Sequence, residues 1–325
     1  MKMLAGLTVT AVLATTALAH AQSLEPFRYG TVATKGDAGF VYMAAEDGFD
    51  DSFGLDIDVQ SFKGDSILLR GLLAGELDAY IGNPGGPMIA ASKGADIKII
   101  GCPWPGLTYA LFTKPDITSV EQLVGGTIGV SAPGSLPDLF SRAVVKSAGI
   151  PLEDVNFTVA GSDAERVAAV SADLITAAPS SSEFNAKAPD LGLHMLVHAR
   201  DVVPEYVRFC IMTRGDIVRD RPEYIANFLA AQIKGFSYAL ENKDATLALS
   251  YEKAELPETD QAPVLIYEEV IENNAVNPEM TVEIDKLEWL SGLLAETGNM
   301  DAGYDPTAIV DTSVLENAKA LLAAQ

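Results

Sequence analysis

Four short stretches hold most of the residues that could meet a small solute: 34–39, 83–86, 131–137 and 179–182. Ser131, Ser135, Ser180 and Ser181 offer hydroxyls that donate or accept, and Asn83 offers an amide. Gly85, next to Gly86, leaves its backbone N–H uncovered. Lys35 and Asp37 stand in the first stretch, where the lysine can pair with an anion. Arg208, in "EYVRFCIMT", is a cation in an apolar run and needs a partner there. Trp104, in "CPWPG", is a candidate aromatic wall. Such residues suit binding. A helix N-terminus gives an anion about 0.3–1 kcal/mol, whereas micromolar affinity takes about 8 kcal/mol. One stretch alone is therefore too weak, and several must converge on one ligand.

Catalytic patterns are missing by comparison. The chain has no G-x-S-x-G elbow, no G-x-x-x-x-G-K-[ST] loop and no G-x-G-x-x-G after its first strand. His194 and His198 have a spacing that suits zinc on a helix, but "LHMLVHA" reads as a strand and lacks the H-E-x-x-H glutamate. No metal and no cofactor are expected.

The elements that must position these residues follow one pattern: strand, polar turn, helix. Strands are expected at 27–33, 55–62, 78–82 and 97–102, with helices between them. A second unit starts near 115, with strands at 127–130, in "VNFTVA", in "DLITAA", in "LHMLVHA" and in "YVRFCIMT". From 219 onward the pattern is almost wholly helical. Alternating strands and helices predict an α/β fold with mostly parallel sheets flanked by helices. Residues 62–82 and 159–179 share one grammar: strand end, Gly, polar helix start, helix, acid, apolar strand. Two similarly built lobes follow, with two of the four stretches in each. Ligands in open α/β sheets sit beyond the carboxyl ends of strands, so facing lobes would place all four at one cleft.

The 325 residues carry a formal charge of −23. Such a surface repels phosphate backbones and anionic headgroups, which argues against nucleic-acid and membrane-surface roles. The start, "MKMLAGLTVTAVLATTALAHAQ", has one lysine, an uncharged run and a small-x-small site. It predicts an export signal over 1–21, cleaved after Ala21, and a soluble exported protein. An oxidising compartment permits a Cys102–Cys210 bridge, which the sequence leaves open.

The order of parts resembles the periplasmic solute-binding proteins of ABC importers. It is most similar to their nitrate/taurine/alkanesulfonate group, which shares a fold with thiamine-pyrimidine synthases. The residues that carry the resemblance are "AAEDGFDDSFGLDIDVQSFKG", "LLAGELDAYIGNPGGPMIAASKGADIKIIG", "SVEQLVGGTIGVSAPGS" and "YDPTAIVDTSVLENA". Within them lie Gly75-Glu76-Leu77-Asp78 and the set Leu123, Gly125, Gly129 and Val130. The resemblance implies a two-lobed type II periplasmic-binding-protein fold. Its first lobe would span 23–111 plus 213–325 and its second 112–212. It implies a periplasmic monomer that closes on a small molecule and docks on a membrane permease paired with an ATPase. Ligand contacts by Lys35, Asn83, Gly85, Ser131, Ser135 and Ser180 are carried over on the same basis. "SADLI" stands where the group has a second Gly-x-x-Asp, and "APSSSEF" lacks its aromatic. Lys35 and Arg208 are the only cations expected near the site. A sulfonate-like solute is the working expectation, with a heterocycle or an organic acid beside it. An enzyme of the thiamine-pyrimidine-synthase kind and a ligand-sensing partner are the alternatives on this fold.

Overall fold

The computed structural model describes residues 23–325, so the expected signal over 1–21 lies outside the described residues. The chain opens with β1 (Glu25–Val32), α1 (Ala38–Glu46), β2 (Leu55–Phe62), α2 (Asp65–Leu73), β3 (Ala79–Gly82), α3 (Gly85–Ser92) and β4 (Ile97–Trp104). It continues through β5 (Tyr109–Thr113), β6 (Thr127–Val130), α4 (Leu136–Ser147), β7 (Asn156–Val159), α5 (Asp163–Ser171), β8 (Ala177–Ser181), β9 (His194–His198) and α6 (Ala199–Val202). It returns in β10 (Phe209–Arg214) and ends in helices α7 (Gly215–Asp220), α8 (Pro222–Glu241), α9 (Lys243–Lys253), α10 (Ala262–Asn273), α11 (Ile284–Glu296) and α12 (Ser313–Ala323). No described helix is long and apolar enough to cross a membrane.

The strands form two sheets, ordered β2-β1-β3-β10-β4 and β7-β6-β8-β5-β9. The two orders are the same pattern: three parallel strands, then a strand antiparallel to both its neighbours, then an edge. The sequence echo maps onto it, because β2–α2–β3 and β7–α5–β8 fill equivalent slots. The alternation in "LDIDVQSF" has its expected cause: Leu55 and Ile57 are buried while Asp56 and Asp58 face water on an edge strand. The C-terminal helices cover the first sheet. Phe228 of α8 stacks on Phe27 of β1 with ring centroids 4.1 Å apart.

Two details depart from expectation. β8 begins at Ala177, so 179–181 is strand and not turn. The turn falls earlier, at Asp173, whose φ is 58°. Pro179 is tolerated because β6 pairs with β8 only at Ile128–Ala177, leaving no ladder bond to β6 for its missing N–H. Gly85 and Gly86 likewise belong to the first turn of α3, which shortens the 83–86 turn to Asn83 and Pro84.

β5 pairs with β8 and β9 from Tyr109 onward, and β10 pairs with β3 and β4 from Phe209 onward. Boundaries at 111/112 and 212/213 would cut both strands. We place the crossings instead at 105–108 and 203–208, where the chain leaves one sheet for the other. Cys102 of β4 and Cys210 of β10 are joined by a disulfide. It ties the strand that leads out of the first lobe to the strand that leads back in.

Candidate functional site

A cavity of about 290 Å³ lies between the sheets, at the small end for a ligand pocket. The first lobe contributes the loop after β1 and the start of α2. The second contributes the starts of α4 and α5 and the segment after β8. Each helix start follows the carboxyl end of a strand, and two of the expected stretches, 34–39 and 131–137, line the cavity, while 83–86 and 179–182 supply no lining residue. Local sequence explains the helix starts. Ser162 and Glu165 form a capping box that starts α5, and Pro137 sits in the first turn of α4.

Asp163, the first residue of α5, is the hub of the cleft. Its carboxylate accepts from Lys35 Nζ at 3.1 Å and from the Tyr109 hydroxyl at 2.9 Å, and it pairs with Arg166. Arg166 is 1% exposed, and its Nε donates to the Pro179 carbonyl at 2.9 Å. Burial opposes ionisation of Asp163, but Lys35, Arg166 and the hydrogen bonds outweigh it and hold the carboxyl well below the usual range. Lys35 comes from the first lobe and Asp163 from the second, so this pair spans the cleft.

A second buried pair joins Arg208 to Asp37. The Arg208 guanidinium also donates to Thr108 Oγ1 at 2.6 Å and lies 4.4 Å from the Trp104 ring centroid. The partner its apolar surroundings demand is therefore found within the chain. Two further carboxyls line the cavity. Burial pushes Asp65 up to about 6, against the Asn83 N–H and Lys35. Burial, then the nearby Asp37, pushes Glu183 up to about 8. Glu183 Oε1 accepts from the Gly36 N–H at 3.4 Å, and Oε2 has no partner.

Among the expected site residues, Lys35, Ser131 and Arg208 line the cavity. Asp37 lies behind Arg208, as its ion-pair partner. Ser131 donates to Ser135 Oγ at 2.9 Å, and Ser135 donates to the Ala132 carbonyl at 2.6 Å. Asn83 and Gly85 are not among the lining residues. Gly85 N–H donates to Asn83 Oδ1 at 3.0 Å, and Asn83 Nδ2 donates to the Arg208 carbonyl at 3.3 Å. A Cβ on Gly85 would come within 3.2 Å of Leu139 and 3.3 Å of the Gly134 carbonyl, so this glycine lets α3 approach the second lobe. Trp104 is fully buried in the core beneath Arg208 and is no wall of the cavity. Ser180 and Ser181 are buried on β8 with hydroxyls that lack partners. Lys35 and Arg208 are not the only cations of the cleft, since Lys63, Arg166 and Lys187 line it too.

Asp65, Asp163, Arg166 and Glu183 are lining residues that sequence reasoning missed. Arg166 left a signal: it shares a buried helical face with Val167 and Val170, where a cation needs a reason. Asp65 and Asp163 read as ordinary helix-start acids. Glu183 left no signal.

Asn83→Ala is expected to lower the unfolding free energy by about 1–3 kcal/mol, measured by urea denaturation. It strips partners from the buried Gly85 N–H, Arg208 carbonyl and Tyr206 hydroxyl. An unchanged midpoint would show that these groups find other partners.

Two lobes with one sheet each, facing across a lined cleft, define the periplasmic-binding-protein fold. The chain belongs to the NMT1/THI5-like family, whose model matches residues 36–246. A Brucella abortus (strain 2308) protein, provisionally named a binding protein, is 26% identical over 296 residues, covering 86% of this chain and 88% of its own. The aliphatic sulphonate binding protein SsuA of Escherichia coli superposes with a TM-score of 0.71 at 17% identity, covering 90% of this chain and 100% of SsuA. The nitrate-binding protein NrtA of Synechocystis PCC 6803 gives 0.75 at 14%, covering 93% of this chain and 90% of NrtA. At these identities the structural likeness is one of fold.

Proposed function

We propose that the protein is an extracytoplasmic receptor that captures one small polar solute by lobe closure and delivers it to an ABC permease with its ATPase. The observation that carries this is the cavity itself, lined by both lobes, which already touch across it. Besides Lys35–Asp163, the Ser182 hydroxyl donates to Glu269 of α10 at 2.5 Å, and Lys187 pairs with Asp260 at 2.7 Å. These three cross-lobe contacts are polar, of the kind a hinged receptor can break and remake as it opens and closes. Export through the expected signal and a monomeric state complete the proposal, together with the binding-protein relatives.

A thermal-shift screen against sulfonates, nitrate, carboxylates, pyrimidines, flavins and small nitrogen bases tests it. A true ligand at a hundred times its dissociation constant stabilises by about 2.7 kcal/mol. Turnover of a solute, with no saturable shift from any of them, would instead favour an enzyme on this fold.

A further inference from the structure

We infer that the solute presents a positively charged nitrogen group, an ammonium or amidinium, to Glu183, and that the cleft does not select a bare anion. This assignment rests on the receptor function proposed above and names its ligand class.

The helix starts make the first argument. In such a fold they are the natural seats for an anion. Here the equivalent helices α2 and α5 begin with Asp65 and Asp163, and both residues line the cavity. Each helix start facing the ligand from these two positions already carries its own carboxylate. A sulfonate or nitrate placed there would meet like charge.

The buried cations make the second. Lys35 and Arg166 share Asp163, Arg208 is matched by Asp37 and Thr108, and Lys187 by Asp260, while Lys63, exposed to solvent at the edge, has no ion pair among the described residues. An anionic ligand at the paired cations would have to displace a carboxylate that they already hold at close range.

Glu183 makes the third. It lines the cavity, is 4% exposed, accepts one long hydrogen bond from Gly36, and leaves Oε2 buried and unpartnered beside the Gly36 and Ala262 backbone. The charged groups facing it are Lys35 and Asp37 from the loop after β1 and Arg208 from the segment before β10. The two cations among them are engaged elsewhere. α10 meets the same corner through the Ala262 backbone, where a Cβ on Gly36 would come within 2.8 Å of Glu183 Oε2 and 2.9 Å of the Ala262 carbonyl carbon, and through Glu269, which is held by Ser182 and by His198 of β9. On its own segment, Lys187 is paired with Asp260. A buried carboxyl without a counter-ion stays protonated toward pH 8. A ligand cation supplies the missing partner, and the Glu183 proton leaves as it binds. The cavity limits that ligand to a compact molecule.

The test is calorimetric titration of the full-length protein with acetamidine and benzamidine, set against nitrate, methanesulfonate and the zwitterion taurine. Amidines stay protonated throughout the range used. We expect an amidine to bind, and to bind about tenfold or more tightly at pH 8.5 than at pH 6.5 because Glu183 must ionise. Glu183→Gln, a neutral isostere, should lose at least tenfold in affinity and the pH dependence with it, at an unchanged melting temperature. The pH series in the unsubstituted protein decides the matter even if that variant folds poorly. Taurine bound through Glu183 supports the assignment, and taurine indifferent to Glu183→Gln counts against it. Nitrate or methanesulfonate binding more tightly than either amidine, and unaffected by Glu183→Gln, would overturn the ligand class and leave the receptor intact. If no probe binds and the wider thermal-shift screen is also silent, receptor and ligand class fall together.

Discussion

Asp163→Asn is expected to cost about 3 kcal/mol of stability at pH 7 and to loosen the closed form. The substitution keeps the shape and removes the charge. It leaves Arg166, 1% exposed, and Lys35, 15% exposed, without the carboxylate both of them use. Breaking a buried pair from one side costs about 3–5 kcal/mol, because the remaining charge stays in a poorly solvated place. Asp163 keeps 16% of its side chain in contact with solvent, which argues for the lower end. The sign with pH follows from its depressed ionisation. The folded state holds the carboxylate more firmly than the unfolded chain does, where the value is about 3.9. The contribution is therefore present in full above about pH 4 and fades as acid protonates the folded form. Urea unfolding at pH 7 and pH 3 reads both effects. The variant should be weaker at pH 7, and its deficit should shrink at pH 3. A deficit that stays constant down to pH 2 would remove the electrostatic account.

Cys102→Ala with Cys210→Ala should be the other large effect. The bridge spans a sequence separation of 108 residues. In the chain-entropy model a closed loop of about 100 residues contributes about 4.7 kcal/mol. For a chain of this size that corresponds to roughly 10 °C in melting temperature. The bond also holds β4 against β10 at the base of the hinge, so its loss should widen the range of lobe angles. Calorimetry with and without reductant, and small-angle scattering on the double variant, check the two consequences separately. A melting temperature unchanged by reduction would show that the two strands hold without the bond.

Much of the fold was legible from the residues, for physical reasons that differ by element. β2 and β6 stand at the expected residues, 55–62 and 127–130. Alternation fixed the first, and β-branched residues after a glycine turn fixed the second. β8 was misplaced because proline and three serines look like a turn. Only the sheet shows that pairing with β6 has ended before Pro179. The site was half legible. Two of the four stretches, 34–39 and 131–137, supply lining residues, because chain topology carries them to the cleft. Asn83, Gly85 and Trp104 do not line the cavity, and a polar, small or aromatic residue near a cleft can serve the wall or what lies behind it. Hydrogen-bond partners decide which, and those come from distant parts of the chain. Asp163 and Glu183 were invisible for the same reason: Lys35 lies 128 residues from Asp163 and Gly36 lies 147 from Glu183.

The strand order also sets a timetable. The slot between β3 and β4 in the first sheet is filled by β10, which follows the entire second lobe in the chain. The second sheet draws on one continuous stretch and can assemble as soon as β9 is made. The first sheet waits, with the facing edges of β3 and β4 bare and Cys102 lacking its mate, until residue 210 arrives. Oxidation of that pair thus doubles as a completion mark. A chain that stalls short of β10 carries a free thiol beside an open sheet edge, the two features by which folding helpers and proteases recognise unfinished protein.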